Sequence, residues 1–339
     1  MGQALKISFE CSDRVFRRIR PKNILLQLPS GLKRRSSELA EELRKRYGCQ
    51  VTISGDSCYG ACDITQPVYG IDAIVQFGHA PMRLPKCYVP VIFVPILIDL
   101  NLSELMPGAL PSLKSPVGIL STAQHIHQLP EAARILRESN FEVLIGKGDS
   151  RLSAPGQILG CDYSSAKRIA SRANSFLLLG GGRFHAIGAA LATAKPVTIL
   201  DPEKENASVE RIDPDAFLRK RFAVIQALAS ASSLGILVSI KLGQRRRRLS
   251  EELLRISRKH GRTVEIIAID EITPSKLDDI GFDAYISTAC PRIALDDSTN
   301  FDKPIGTPAE LMIALGEMEW EEYQIDDWSF SLHRTARRK

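Results

Sequence analysis

Apolar positions along the chain alternate between two patterns. Short continuous runs read as buried strands: Ile24-Leu25-Leu26-Gln27-Leu28, Val117-Gly118-Ile119-Leu120 and Leu234-Gly235-Ile236-Leu237-Val238. A helical spacing follows each run. Leu39, Leu43 and Tyr47 form the first set, Leu129, Ala133 and Leu136 the second, and Leu249, Leu253 and Ile256 the third. Such spacing lines one face of a helix with apolar side chains. Second strands are predicted at 51–53, 143–145 and 264–267, and third strands run into loops of small residues at 71–80, 176–186 and 283–290. Each series closes on a proline-marked strand, at 89–93, 195–199 and 303–305.

The pattern therefore occurs three times. Apolar strands separated by amphipathic helices indicate parallel sheets covered on both faces. The fold class expected is α/β: three related domains with parallel sheets, at 1–110, 111–228 and 229–339, arranged around a central site. Ligands of such sheets bind beyond the carboxyl ends of the strands. The longest apolar run, 89–100, carries Pro90 and Pro95 and reads as one buried strand.

One cysteine per unit lies on that carboxyl side. Cys62 closes Ser57-Cys58-Tyr59-Gly60-Ala61-Cys62-Asp63, Cys161 closes Ile158-Leu159-Gly160-Cys161-Asp162, and Cys290 lies in Ser287-Thr288-Ala289-Cys290-Pro291. The cysteine follows the second strand in units one and two but the third strand in unit three. Either a shared scaffold has diverged, or the units are not true copies. Zinc sites usually draw their ligands in close sequence pairs, which this spacing lacks. Three thiolates with no fourth partner suit a [4Fe–4S] cluster that leaves one iron open to substrate. Three buried free cysteines are the alternative. A helix over 164–173 would set its positive end near Cys161 and favour the thiolate. Cys58 rivals Cys62 as a ligand, but Cys62-Asp63 matches Cys161-Asp162. Cys11, Cys49 and Cys87 have no counterpart in the repeat and read as structural.

Other residues share the predicted rim. Gly180, Gly181 and Gly182 follow a strand, where glycine either admits a ligand to the backbone or makes a tight turn. Arg183, His185, His79, His125 and His127 stand at similar strand ends, although a lone histidine more often packs or caps. Arg292 follows the third cysteine and could grip a substrate carboxylate in a bidentate pair. Its alternative role is an inter-domain salt bridge.

Composition changes this picture little. The chain is 44% apolar and 25% charged, as in ordinary globular proteins. Residues 1–10 lack the apolar core of a secretory leader, and no run approaches the ~20 residues of a membrane span. Seven cysteines without a leader suggest reduced thiols in a cytoplasmic protein. The net charge of +6 is concentrated at residues 245–248 and 334–339. These runs read either as solvated surface or as a patch attracting an acidic macromolecule. No RNA-binding aromatic motif, zinc finger or helix-turn-helix pattern is present, so direct nucleic-acid binding is not expected.

The segments Gly55-Asp56-Ser57-Cys58-Tyr59-Gly60-Ala61-Cys62-Asp63, Gln157-Ile158-Leu159-Gly160-Cys161-Asp162 and Ser287-Thr288-Ala289-Cys290-Pro291-Arg292-Ile293-Ala294 resemble those of the archaeal diphthamide-biosynthesis enzymes, the 2-(3-amino-3-carboxypropyl)histidine synthases. Gly181-Gly182-Arg183-Phe184-His185 and Thr122-Ala123-Gln124-His125-Ile126-His127 are similar too, so the resemblance covers most of the chain. It implies a cytoplasmic homodimer whose Cys62, Cys161 and Cys290 hold a [4Fe–4S] cluster. S-adenosylmethionine would bind at the open iron, with Gly180, Gly181, Gly182, His185 and Arg292 as candidate contacts. An electron from a separate donor, passed through the cluster, would cleave the bond between sulfur and Cγ. Methylthioadenosine would leave, and the 3-amino-3-carboxypropyl radical would be transferred to a histidine of translation elongation factor 2. The usual radical signature Cys-x3-Cys-x2-Cys is absent, since Thr65 occupies the third position after Cys58 and Cys62. Quinolinate synthase, which also places three cysteines on three α/β repeats, is the nearest alternative. A non-catalytic partner subunit and a plain iron–sulfur carrier are others.

Overall fold

The computed structural model describes residues 6–332, apart from 57, 66–68, 85–86 and 202–207 and the side chains of Cys11 and Ser208. The basic run at 334–339 lies outside the described residues.

The first part of the chain runs β1 (Lys6–Ile7), α1 (Glu10–Ile19), β2 (Asn23–Gln27), α2 (Ser36–Tyr47), β3 (Gln50–Ile53), β4 (Ala73–Phe77), β5 (Val91–Val94) and β6 (Ile96–Leu97). The second runs α3 (Leu102–Ala109), β7 (Val117–Ser121), α4 (Leu129–Glu138), β8 (Val143–Leu144), α5 (Ser164–Lys167), β9 (Ser175–Leu179), α6 (Arg183–Thr193), β10 (Val197–Asp201) and β11 (Ser208–Arg211). The third runs α7 (Asp215–Ser230), β12 (Ser233–Ser239), α8 (Arg247–Lys259), β13 (Thr263–Ile269), α9 (Pro274–Ile280), β14 (Ala284–Ser287), α10 (Pro291–Leu295), β15 (Ile305–Gly306) and α11 (Pro308–Ala314).

Three separate sheets result, β3-β2-β4-β5, β8-β7-β9-β10 and β13-β12-β14-β15, with β11 added antiparallel beside β10. All other pairings in these sheets are parallel. Each sheet thus has the same order, second-first-third-fourth. The order reverses between the first and third strands, which is where crevices open in sheets of this type. Backbones crowd at that reversal. A Cβ on Gly180, after β9, would lie 2.5 Å from Thr122 Oγ1, after β7. Gly180 also has φ +138°, a conformation that L side chains rarely adopt.

Strand alternation divides the apolar residues between the two faces of each sheet. In the second sheet Leu120, Phe176, Leu178 and Ile199 pack on one side, and Ile119, Leu177, Leu179 and Leu200 on the other. The helical stripes behave as expected: Leu39 and Leu43 of α2 and Leu253 of α8 are fully buried. The run 89–100 is not one strand. Pro95 interrupts it, so β5 pairs with β4 while β6 turns away to pair with β1. The helix expected over 164–173 stops at Lys167, and turns follow.

Position 228 falls inside α7, and position 110 directly follows α3. Leu102, Leu105 and Met106 of α3 join the core of the second sheet. α7 packs on α11 and β15 of the third. The anchor of α7 is Arg221, whose Nε and Nη2 donate to the two Glu310 oxygens at 2.7 and 2.6 Å. Arg221 also donates to the carbonyls of Ala294 and Ile305. Glu310 in turn completes the capping box of α11 with Thr307. Both charges are almost wholly buried, so each exists there only because of the other. Glu310→Ala should lower the stability of the protein by ~3–5 kcal/mol, measured by denaturant unfolding. A loss within the ~0.5 kcal/mol typical of surface changes would show that the pair anchors nothing.

Candidate metal centre

Cys290 closely follows the end of β14, whereas Cys62 and Cys161 lie well along the loops that leave β3 and β8. Cys62 follows β3 in a turn closed by Asp63 N donating to Gly60 O at 2.9 Å. Cys161 lies in the small turn bridged by Leu159 and Asp162, reached after Gln157 pairs with the end of β7. Cys290 immediately precedes α10. The aspartates that follow the first two cysteines fasten these turns. Asp162 accepts from Ser164 N and Oγ at 2.9 and 2.6 Å. Buried Asp63 accepts from Tyr59 N at 3.1 Å and pairs with Lys241 Nζ at 2.9 Å.

Lys241 belongs to the third part of the chain, and its loop ties the three cysteines together. Gly243 lies against Cys62 so closely that a Cβ would stand 2.6 Å from Cys62 Cα. Gln244 Nε2 donates to Cys62 Sγ at 3.4 Å. Gly243 O accepts from Arg151 Nη2 at 3.4 Å, and the same nitrogen is 3.9 Å from Cys161 Sγ. The carbonyl of Cys161 accepts from Trp328 N at 2.8 Å. Two residues earlier, Asp326 accepts from Arg246 at 2.8 and 2.6 Å. Arg246 closes the circuit by donating to Thr288 O and Ala289 O, next to Cys290.

The thiols do not ionise readily in this protein scaffold. Burial raises the pKa of Cys62 and Cys290 and pushes that of Cys161 up to about 12. Charge at Cys62 raises Cys161 and Cys290 further, which marks the three as close neighbours. The expected help from a helix dipole is overruled, because α5 is a single turn and desolvation dominates. Only a positively charged partner would hold them as thiolates. Among the described residues, no three His, Cys, Asp or Glu side chains stand close enough to hold a single metal ion. A cubane offers separate irons to separate sulfurs. Three soft donors on three separate loops fit such a cluster.

Cys58 is placed differently. It is 2% exposed, and its sulfur is engaged within the first unit. Gln76 Nε2 donates to it at 3.0 Å, and it donates toward Gly60 O and Asp63 O at 3.4 Å. Cys49 is buried in the first core, and Cys87 lies by β5 with Tyr88 and Phe93.

Gly180, Gly181 and Gly182 form the turn from β9 into α6. Gly182 precedes α6, and no side chain caps that helix. His185, in the first turn, has a buried Nδ1 without a partner. Burial, then the charge of Arg292, lowers the His185 pKa to about 4. Phe184 of the same turn abuts Gly160, where a Cβ would lie 2.4 Å from its ring. The glycine turn, the Cys161 turn and the start of α10 are thus neighbours. Arg292 itself is exposed and donates to Asp296 at 3.0 Å, with Asp297 at 3.9 Å. It makes no inter-domain bridge among the described residues. His125 and His127 are tethers: they bond Ile98 O at 2.8 Å and Asp99 at 2.6 Å. His79 lies 3.8 Å from Cys58. A cleft of about 1060 Å³ opens on Cys161, lined by Arg83, Arg151, Lys167, Asp327 and Trp328 among others.

Sequence reasoning missed Arg151, Lys241, Gln244 and Trp328, and it misread one arginine. The run at 245–248 is not uniformly solvated: Arg246 is buried, while Arg245, Arg247 and Arg248 are exposed. A signal existed. Counting back from Leu253 and Leu249 along the helical stripe lands on 246.

Residues 28–324 match the profile of the diphthamide synthesis protein family. The chain is 41% identical to the 2-(3-amino-3-carboxypropyl)histidine synthase of Pyrococcus horikoshii over 317 residues, 92% of this chain and 90% of that protein. It is 28% identical to subunit 1 of the human 2-(3-amino-3-carboxypropyl)histidine synthase, covering 96% of this chain and 76% of that one. The crystal structure of Dph2 from Pyrococcus horikoshii with a 4Fe–4S cluster superimposes with a TM-score of 0.86 at 39% identity, covering 96% of this chain and 94% of that one.

The buried Arg246–Asp326 pair carries a stability prediction. Arg246→Ala strands a buried carboxylate and should cost ~3–5 kcal/mol. Arg247→Ala, which loses only an exposed partner in Glu251, should stay within ~0.5 kcal/mol. Equal effects in denaturant unfolding would show that the two arginines are equivalent.

Proposed function

The chain belongs to the diphthamide synthesis protein family, and from that premise we propose that it transfers a 3-amino-3-carboxypropyl group from S-adenosylmethionine to a histidine of translation elongation factor 2. The observation that supports this reading is that the loop after β12 touches Cys62 through Gln244, reaches Cys161 by way of Arg151, and reaches the carbonyl before Cys290 through Arg246. These three residues would hold a [4Fe–4S] cluster, and Cys58, already engaged within its own unit, would not. When bound and reduced by an external donor, the cluster would supply the electron for cleavage of the bond between sulfur and Cγ, with release of methylthioadenosine; after the alkyl radical adds to the imidazole carbon, loss of one electron and of the ring C–H proton would restore the aromatic ring.

The chain's own residues would bind and orient the small substrate. The N-terminal end of α6, eleven residues long and without a side-chain cap, would favour a carboxylate there. Gly180–Gly182 leave that backbone approachable, and the unpartnered Nδ1 of His185 adds a polar contact. Arg292, beside His185, would exchange Asp296 for the substrate carboxylate. Three units with divisions near 100 and 213, one ligand each, would form the subunit of a cytoplasmic homodimer.

Anaerobically loaded protein should bind about four irons and four sulfides per chain, as a cubane requires. Ala at Cys62, Cys161 or Cys290 should abolish this, whereas Ala at Cys49 or Cys87 should not. With dithionite, S-adenosylmethionine and archaeal elongation factor 2, mass spectrometry should find methylthioadenosine and the modified histidine. Normal iron content and activity in Cys161→Ala would sink the central-site reading, and quinolinate as product would replace the reaction.

Arg292→Ala should weaken S-adenosylmethionine binding roughly 10- to 150-fold at near-normal iron content, the worth of one charged hydrogen bond. Calorimetric titration would check this. Unchanged affinity would confine Arg292 to its pairing with Asp296.

A further inference from the structure

Three arginines are buried among the described residues: Arg151, Arg221 and Arg246. Two of them meet a carboxylate in a bidentate pair, Arg221 with Glu310 and Arg246 with Asp326. Arg151 meets none among the described residues. Its Nε is buried without a hydrogen-bond partner. Its guanidinium lies 3.9 Å from the centre of the Trp328 ring. Its Nη2 reaches Gly243 O at 3.4 Å and Cys161 Sγ at 3.9 Å. A neutral carbonyl and an aromatic face do not neutralise a buried cation, and an isolated charge in the interior is costly. No carboxylate among the described residues therefore balances Arg151.

We infer that Arg151 is a positioning residue for the cluster charge: its guanidinium, held flat by Trp328 against Cys161, compensates the negative charge of the thiolate-bound cluster and raises its reduction potential. This rests on the reading that Cys62, Cys161 and Cys290 hold a [4Fe–4S] cluster. Such a cluster with three thiolates is a net anion, and reduction adds one more negative charge. A fixed cation beside one ligand sulfur favours the reduced form. Net charge and hydrogen bonds to sulfur are known determinants of cluster potential. Trp328 supplies the platform, and its own N–H to Cys161 O fixes the distance between platform and ligand.

The test compares wild-type protein with Arg151→Met and Arg151→Lys, each loaded anaerobically. A redox titration followed by electron paramagnetic resonance should show the reduction equilibrium of Arg151→Met falling at least tenfold, ~59 mV for one electron. Arg151→Lys keeps the charge and should recover most of that shift. The cluster-free proteins provide an independent readout. There Arg151→Met removes an uncompensated charge and should melt no lower than wild type. An unshifted potential in Arg151→Met, an equal shift in Arg151→Lys, or a lower melting temperature for cluster-free Arg151→Met would each overturn the inference. If Arg151→Met folds but takes up no iron, Arg151→Lys decides: loading supports a charge role, and failure overturns it. Wild-type protein that binds no cluster would sink the underlying reading and the inference with it, and iron analysis of that sample alone identifies this case.

Discussion

The contact between Gly243 and Cys62 is the constraint on which the rest of the centre depends. Backbone from the third sheet's first crossover loop touches backbone from the first sheet's cysteine turn, and any side chain at 243 would force them apart. With the backbones this close, Lys241 reaches Asp63, Gln244 reaches Cys62, and the carbonyl of Gly243 reaches Arg151. The loop sits at the strand-order reversal of its sheet, where α/β sheets open their crevices. It therefore occupies the position from which one segment can touch Cys62 of the first unit and Arg151 of the second.

Electrostatics around the centre follow from the same packing. Burial disfavours the thiolates, and each cysteine's charge disfavours its neighbours'. The protein meets this with donors aimed at sulfur, Gln244 and Arg151, rather than with helix dipoles. Elsewhere it neutralises its buried arginines internally. Arg246–Asp326 links the loop to the C-terminal segment, and Arg221–Glu310 locks α7 and α11 behind α10, whose first turn follows Cys290. These pairs hold the frame, while Arg151, the one buried arginine that meets no carboxylate among the described residues, lies beside Cys161.

The aspartates beside the cysteines show how one motif can serve two purposes. In the sequence, Cys62-Asp63 and Cys161-Asp162 look alike. In the fold, Asp162 stays local and ties the start of α5, whereas Asp63 reaches into another unit through Lys241. The shared dipeptide makes a fixed turn in both cases, and the surroundings decide what that turn is fixed to.

Much of the fold was legible from near neighbours. Continuous apolar runs and the stripes at Leu39, Leu129 and Leu249 located the first strands and helices, because burial of a strand or a helix face is written in periods of two and 3.6 residues. Proline ended the run at 89–100 sooner than its hydropathy suggested, since Pro95 cannot donate to a ladder. The three cysteine motifs were also visible, because each is a short run of neighbouring residues. What remained hidden was what depended on distance: that Lys241 and Gln244 reach the first cysteine turn, and that Arg151 reaches Gly243 and meets no carboxylate among the described residues. These depend on partners far along the chain, 182 residues apart for Gln244 and Cys62 and 92 for Arg151 and Gly243. No periodicity encodes which loop will meet which, so only the packing of the three units on one another settled them.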